Sequence, residues 1–454
     1  MLAVLVAVAH GAFFMHYQSP DWATVADQEG YRRLARSLAE TGRFTRFPES
    51  ERFIPEVIRT PGYPLFVAAI YTVFGTSQIA VASAQTALFA LLVLLVYFIA
   101  GQCATDRVAA GAALLTALYP TFPYFAALVM TELWTTVMLT LAVAAAFRAS
   151  RSGATRDYLV TGLLFGITAL SRPAFVLLPF AMAGMGVVIA LLPKGPRLVT
   201  VRPWAWVIGV FLLTLAPWFV FNDTVMGRPA LAPAGGVGRG LWEGSWHGTW
   251  RGRVHDQLTQ LAGEPTDSAT LDARVTELAT ATGYDAGTMR TYVHQWRDIR
   301  RIWDAPEDPL ARAEARIAAD REYQRVALDN IRGDLVGHIR RRLTYGLFVL
   351  WSADIWVRYS EIDATSPLVI RAMWALQSLI LAFAAWGAIR LLARGHLIEA
   401  WLLVTPLLYV TAVHVPLLTE ARQSLPVKPL LLIVATIGAS DLKQRITSRQ
   451  SEAS

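Results

Sequence analysis

Long apolar runs recur through most of this chain, and no other feature narrows its possible folds so far. They fall at about 79–101, 107–119, 132–148, 157–171, 173–193, 204–222, 366–391, 398–415 and 427–441, after an apolar start at Met1–Met15. Inside a bilayer only a helix or a closed barrel satisfies its own backbone polar groups, and a helix needs ~20 apolar residues to cross. With 54% hydrophobic and 17% charged residues over 454 positions, the chain holds more apolar side chains than one soluble core can take up. The expectation is an all-α, polytopic membrane protein of about ten transmembrane helices. Met1–Met15 is short for a span, but it has no basic flank and no small-residue cleavage site, so it reads as a first helix with a late-assigned start rather than a cleaved signal.

Short loops orient such a protein, because positive charge is retained on the cytoplasmic side. Arg148, Arg151 and Arg156, then Lys194, Arg197 and Arg202, then Arg390 and Arg394, then Lys443, Arg445 and Arg449 all fall on one side of a ten-span layout. Residues 16–62, 120–131, 223–343 and 416–426 are then external. The net charge of +7 sits mostly in these short connections, which argues against nucleic-acid binding. The single cysteine, Cys103, excludes an intramolecular disulfide and a cysteine metal site. The expected division is 1–222, an N-terminal transmembrane module whose first external loop spans 16–62; 223–343, an external and mainly helical region; 344–441, a C-terminal transmembrane module; and 442–454, a cytoplasmic tail.

The external region opens with glycines at 235, 236, 238, 240, 244 and 248 interleaved with Trp242, Trp246 and Trp250. That stretch reads as flexible, either lining a sugar site or lying at the membrane interface. Helical spacing follows over 267–282, 285–301 and 309–351, the last with Tyr323, Val326, Ala327, Ile331, Leu335, Ile339 and Leu343 on one stripe.

Chemistry-bearing residues concentrate on the external side. Residues 28–41 read as an amphipathic helix whose apolar stripe of Tyr31, Leu34, Ala35 and Leu38 is centred near the direction of Asp27. Asp27 is therefore aimed at the membrane body, unless it only caps the helix. Asp21 follows a proline in a turn-like context and Glu29 lies off the stripe, so both are weaker candidates. Glu132, in TELW, starts an otherwise uncharged span, where burial is costly without a partner or water; its simpler use is to meet the helix N-terminal dipole. Arg59, Arg172, Arg422 and Lys428 stand at external ends of apolar segments. Each alone fits a snorkelling interface cation, whereas their shared side fits a phosphate, which guanidinium forks bind with two oxygens. His414 reads as a hydrogen-bonded structural residue. No metal-binding histidine spacing, phosphate loop or nucleophile elbow occurs, which disfavours zinc hydrolases, ATPases and serine hydrolases.

Five segments, ADQEGYRRLARSLAETGRF, RTPGYPLFVAAIYTVFG, YPTFPYFAALVMTELW, GLLFGITALSRP and EARQSLPVKP, occur in an order and spacing that resemble the GT-C glycosyltransferases related to dolichyl-phosphate-mannose protein mannosyltransferases and bacterial family 39 enzymes. The resemblance covers roughly residues 20–440. It implies inverting transfer of a sugar from a polyprenyl-phosphate donor to a lipid, glycan or protein acceptor, at the external face of what would be a bacterial inner membrane. It implies Asp27 as general base and Glu132 at the acceptor site. Arg59, Tyr63, Arg172, Arg422 and Lys428 would bind substrate, the cations meeting donor phosphate. It implies no cofactor, and leaves a divalent metal open. The chain departs from the pattern at Phe221, where PW-x-x-RN has arginine, at Gln423, where tyrosine is frequent, and at Asp334, where proline is frequent. A secondary transporter or a flippase-associated membrane protein is the competing reading. A transporter places its ionisable residues near the bilayer midplane, and here they cluster at one face.

Overall fold

The structure is a computed structural model that describes residues 1–22, 26–192, 202–304, 306–358 and 361–453. Lys194 and Arg197, invoked above for orientation, and the side chains of Asp21 and Arg449 lie outside the described residues.

The described residues form helices joined by turns and loops. The N-terminal part runs α1 (Leu2–Gln18), α2 (Ala26–Thr41), α3 (Gly62–Phe74), α4 (Gln78–Cys103), α5 (Asp106–Leu118), α6 (Thr121–Ala126), α7 (Thr131–Ser152), α8 (Thr155–Ser171), α9 (Leu178–Ala190) and α10 (Trp204–Met226). The region expected to be external holds α11 (Val237–Trp246), α12 (Val254–Gly263), α13 (Ser268–Thr282), α14 (Ala286–Asp304), α15 (Pro309–Gly333) and α16 (Leu335–Arg341), closed by a π-helical turn at Arg342–Gly346. The C-terminal part has α17 (Leu347–Trp351), α18 (Pro367–Ala393), α19 (Leu397–His414), a 3-10 segment at Ala421–Val427 and α20 (Lys428–Ala453).

Among the described residues, seven helices are long and apolar enough to cross a membrane, and all seven coincide with expected spans. α1, α5 and α8 occupy the other three positions but are shorter. The apolar α3 was not among the expected spans; it emerges directly from the RTPGYP segment. α7 and the helix through Ala421–Ser448 are the interior of the bundle, with 72% and 78% of their apolar windows buried, against 17% for α18 at its edge. Small residues let these helices touch. A side chain at Gly162 would strike the backbone carbonyl of Val207, and Gly387 and Gly438 pack reciprocally on the α20 and α18 backbones. Such close approach is how helices associate in lipid, where apolar burial between them gains little.

The glycine and tryptophan stretch differs from its expectation. Most of it is helix α11, and Trp242, Trp246 and Trp250 are buried with Leu258, Val275, Val293, Tyr323 and others in a separate external core. The glycines serve contact rather than flexibility: a Cβ on Gly238 would overlap the Asp320 carbonyl of α15, and one on Gly244 would meet the backbone of Leu417. Asp334 departs from the family pattern because it caps α16, accepting from Gly337 N at 3.0 Å and pairing with Arg341 at 2.8 Å.

Candidate functional site

Asp27 stands in the first turn of α2, one residue inside the helix start, with its side chain 52% exposed. The apolar stripe behaves as the spacing predicts, since Leu34 and Ala35 are fully buried. The helix start is pinned by Gln28, whose buried Oε1 accepts from Val129 N at 2.8 Å and from Gln78 at 3.3 Å. Asp27 is thereby held beside the turn that leads into Glu132.

RTPGYP brings the next component. Glu56, nearly fully buried, accepts from Ile58 N at 2.8 Å and Arg59 N at 3.2 Å and pairs with Arg46 at 2.5 Å, so the loop before α3 is shaped around one carboxylate. Arg59 lies over the Tyr31 ring at 4.8 Å and 3.9 Å from Asp27 Oδ1. Gly30 lies directly under the Arg59 guanidinium, which a side chain at that position would displace from its present place. Gly62 packs against Ser171 at the end of α8, and Ser171 in turn accepts from Trp134 Nε1 at 2.8 Å. Trp134 stacks on Phe66 with ring centroids 4.4 Å apart. Arg59, Glu132 and Arg172, each next to one of these contacts in sequence, are thus gathered around Tyr31, which feels the charges of all three and of Asp27. Burial pushes the Tyr31 hydroxyl up from its usual value.

Arg422 completes the cluster from the far end of the chain. Its Nη1 donates to Asp27 Oδ2 at 3.2 Å and lies 3.7 Å from Glu132 Oε1, and its Nε contacts Glu420 Oε2 at 2.9 Å. The segment is rigid because Glu420 and Gln423 form a reciprocal capping box, which is the use this chain makes of glutamine at position 423. The external region braces the loop before it: Leu418 N donates to Gly240 O at 2.6 Å, and Arg342 donates to Leu417 O at 3.0 Å and to the His247 carbonyl. Burial, with the Arg342 charge beside it, pulls the His247 imidazole down to about 3, and burial lowers Arg342 to about 10. Arg239 of α11 pairs with Glu243 at 2.8 Å and also feels Asp27, so α11 sets one more cation near the cluster.

Two atoms in this cluster are buried without a hydrogen-bond partner among the described residues: Glu132 Oε2 and Arg172 Nη1. One is an acceptor on a residue 3% exposed and the other a cationic donor. Leaving either group unmet costs on the order of 1–3 kcal/mol, so the pair marks where a ligand with both a donor and an anionic group fits.

The remaining expected ligands are placed elsewhere. Tyr63 is fully buried, its hydroxyl donates to Gln85 at 3.1 Å, and it meets the cluster through an edge contact with Tyr31 at 5.3 Å and through the nearby charge of Glu132. Lys428 is 1% exposed and donates to Trp351 O and Gln377 Oε1, both at 3.3 Å, inside a polar knot with Tyr119, Thr121 and Asp354. His414 is buried near Arg172. Phe221, in place of the family's arginine, stacks on Trp218 at 5.1 Å. The residues missed from sequence are Gln28, Glu56, Arg239 and Glu420. Gln28 and Glu420 carried a signal, as members of ADQEGYRRLARSLAETGRF and EARQSLPVKP. Among the described residues no group of three or more His, Cys, Asp or Glu side chains is arranged to hold a metal ion.

The family model for dolichyl-phosphate-mannose-protein mannosyltransferase matches residues 58–221, a stretch that includes Arg59, Glu132 and Arg172 but neither Asp27 nor Arg422. Among solved structures, the archaeal oligosaccharyltransferase AglB from Archaeoglobus fulgidus, in complex with an inhibitory peptide and a dolichol-phosphate, superposes with a TM-score of 0.55 over 99% of this chain at 12% identity. The chain has the GT-C fold. The apo form of the A. fulgidus oligosaccharyltransferase gives a TM-score of 0.53 at 13% identity over 99% of this chain. This GT-C chain spans about half the length of those proteins, 51% and 52%. ArnT from Cupriavidus metallidurans bound to undecaprenyl phosphate superposes less well, with a TM-score of 0.41 at 16% identity over 96% of this chain and 77% of ArnT. No curated protein matches the chain by sequence.

Proposed function

We propose that this protein is a membrane glycosyltransferase that moves a sugar from a polyprenyl-phosphate-linked donor to a lipid, glycan or protein acceptor. The observation that carries the reading is the Arg422 cluster. One guanidinium holds Asp27, Glu132 and Glu420 at 3.2, 3.7 and 2.9 Å in a cluster that Arg59 and Arg172 join around Tyr31, and two polar atoms there have no partner among the described residues. The AglB structure that contains a dolichol-phosphate supports the donor class by likeness of fold.

In this reading the acceptor nucleophile approaches the half-exposed Asp27, whose carboxylate takes its proton as the acceptor atom bonds to the sugar C1. The C1–O bond to phosphate breaks on the opposite face, the configuration inverts, and polyprenyl phosphate leaves. A positioned base contributes about 10²–10⁴-fold, because a hydroxyl is a weak nucleophile until its proton is taken. The leaving phosphate gains negative charge as the bond breaks, so Arg59 and Arg172 stabilise the transition state more than the ground state. Glu132 Oε2 accepts from the acceptor and fixes its approach. Arg422 keeps three acids in register and balances their charge. The cluster faces the periplasmic side of a bacterial inner membrane, since the basic connections at 148–156 and 390–394 and the tail beyond 441 lie at the other ends of their helices.

The reading is tested by supplying the purified protein, in proteoliposomes, with polyprenyl-phosphate hexose and pentose donors and an extract of envelope lipids, glycans and proteins as acceptor, and following release of polyprenyl phosphate. Release by the wild type, with the donor KM raised about tenfold or more in Arg59→Ala, is the expected result. No release from any such donor, with the lipid bound, would reject transferase activity.

A further inference from the structure

At the other end of the bundle, a second charge cluster takes no part in this chemistry. α20 rises about 20 Å between Lys428 and Asp441 at ~1.5 Å per residue. There the Asp441 carboxylate, 2% exposed, meets Arg390 Nε at 3.3 Å, the Arg394 guanidinium, Arg445 Nε at 2.9 Å and the Trp386 indole N–H at 3.1 Å. The Arg390 and Arg445 guanidiniums also lie over the Trp386 ring, at 6.0 and 5.6 Å. The contact of Gly387 with Gly438, one turn earlier on each helix, brings α18 and α20 close enough for this to form.

Neutralising one buried carboxylate needs one guanidinium, and here three converge. The surplus of two positive charges in one place is self-repelling unless an anion offsets it. Arg394 and Arg445 remain 47% and 46% exposed, while Arg390 is 21% exposed. Arg390 and Arg394 border a cleft of about 120 Å³ that also touches Asp441, Thr105, His396 and Gln444, and Arg445 adds its charge from the other carboxylate oxygen of Asp441. Through Thr105, Val108, Ser440 and Gln444 this cleft continues into an open groove of about 1100 Å³, where Arg107 and Lys443 add charge and Asp106 offsets part of it. Glu399, 3.9 Å from His396, is the other acid near the cleft. Flanking the charges, Ile389, Leu392, Leu442 and Ile446 are exposed apolar side chains at 55%, 49%, 39% and 52%. A cationic cleft bordered by apolar side chains on helices that cross a bilayer matches a lipid in cross-section, with phosphate at the arginines and acyl chains along the helices.

We infer that this cleft binds the phosphate of an anionic phospholipid headgroup. Asp441 holds Arg390 and Arg394, which receive it, and Arg445 adds to the positive charge beside the cleft. The inference does not depend on the proposed transferase activity. It is tested with the full-length protein in nanodiscs of phosphatidylcholine and phosphatidylglycerol in equal parts, by native mass spectrometry of retained lipid. The wild type should retain phosphatidylglycerol over phosphatidylcholine by about tenfold or more, and Arg394→Gln with Arg445→Gln should abolish the preference, each near-surface cation being worth about fivefold. Should the double variant fail to insert, Arg394→Gln alone should lower the preference about fivefold. Asp441→Asn, which frees the arginines, should keep the preference or raise it. Equal preference in wild type and Arg394→Gln would overturn the site. A thermal stabilisation by inorganic phosphate equal to that by phosphatidylglycerol would overturn the lipid as its source.

Discussion

Arg422 and Lys428 belong to one short motif, EARQSLPVKP, and lie in different physical worlds. Arg422 is about a third exposed, in a cluster where it faces Asp27, Glu132 and Glu420. Lys428, less than two helical turns on, is sealed in the bundle, its ammonium between the Tyr119 and Trp351 rings at 5.8 Å each and tied to Gln377 beside Asp354. A cation shared by three acids, two of them partly exposed, can exchange a partner for substrate without leaving a charge unmet. One whose donors are already spent on buried acceptors cannot, and its removal is felt by the fold. Equal charge in one motif therefore does not imply equal function.

That contrast can be broken experimentally. Among substitutions outside Asp27, Arg422→Ala should cost most, lowering kcat/KM for the donor about 10²–10³-fold, because the acids it holds lose both their position and their charge balance. Steady-state kinetics in proteoliposomes reads this. Lys428→Met should leave the donor KM unchanged while destabilising the folded bundle by on the order of 3 kcal/mol, seen as a lower Tm in detergent, since Asp354 loses its nearest cation. A KM raised as in Arg422→Ala would place Lys428 in the donor site and dissolve the contrast.

The external region sharpens it further through pH. His247, beside Arg342 and His255, is held near 3 in the folded protein, against an ordinary value of about 6.5. The folded state therefore binds fewer protons than the unfolded one, so the stability tied to this group is complete above about pH 6.5 and is lost as pH falls toward 3. At pH 5 the loss is about 2 kcal/mol. Amide exchange over α11 should accelerate between pH 7 and 5 after correction for intrinsic rates, and His247→Gln should flatten the dependence. Glu420→Gln should have the smallest effect, about fivefold in kcat/KM, corresponding to about 1 kcal/mol, because Arg422 keeps its contacts to Asp27 and Glu132. A larger loss than that of Arg422→Ala would make Glu420 a second base.

Much of this arrangement is legible in the sequence, and the reasons are specific. The apolar runs place the spans because a bilayer leaves no alternative to a helix that satisfies itself. Asp27 is legible because its helical phase shares the stripe of Leu34 and Ala35, both fully buried. Arg59, Glu132 and Arg172 are gathered as expected, through Gly62, Ser171 and Trp134. What the sequence hides is contact between distant segments. Nothing near Trp242 or Gly244 announces that α11 packs its tryptophans inward and its glycine against Leu417, so a braced helix reads as a flexible strip. Glu56 and Gln28 look like ordinary surface residues until the backbone donors of Arg59 and Val129 come to them. Lys428 and Arg422 look alike because depth along a packed helix bundle depends on neighbours from elsewhere in the chain.

The most direct test of the account is a single turnover with Asp27→Asn. Asparagine keeps the shape and loses the base, so the variant should insert, bind the polyprenyl-phosphate sugar with an affinity within a few-fold of wild type, and release polyprenyl phosphate at least about 100-fold more slowly. Release at the wild-type rate, with donor and acceptor bound, would contradict the assignment of Asp27 and with it the mechanism built on the Arg422 cluster.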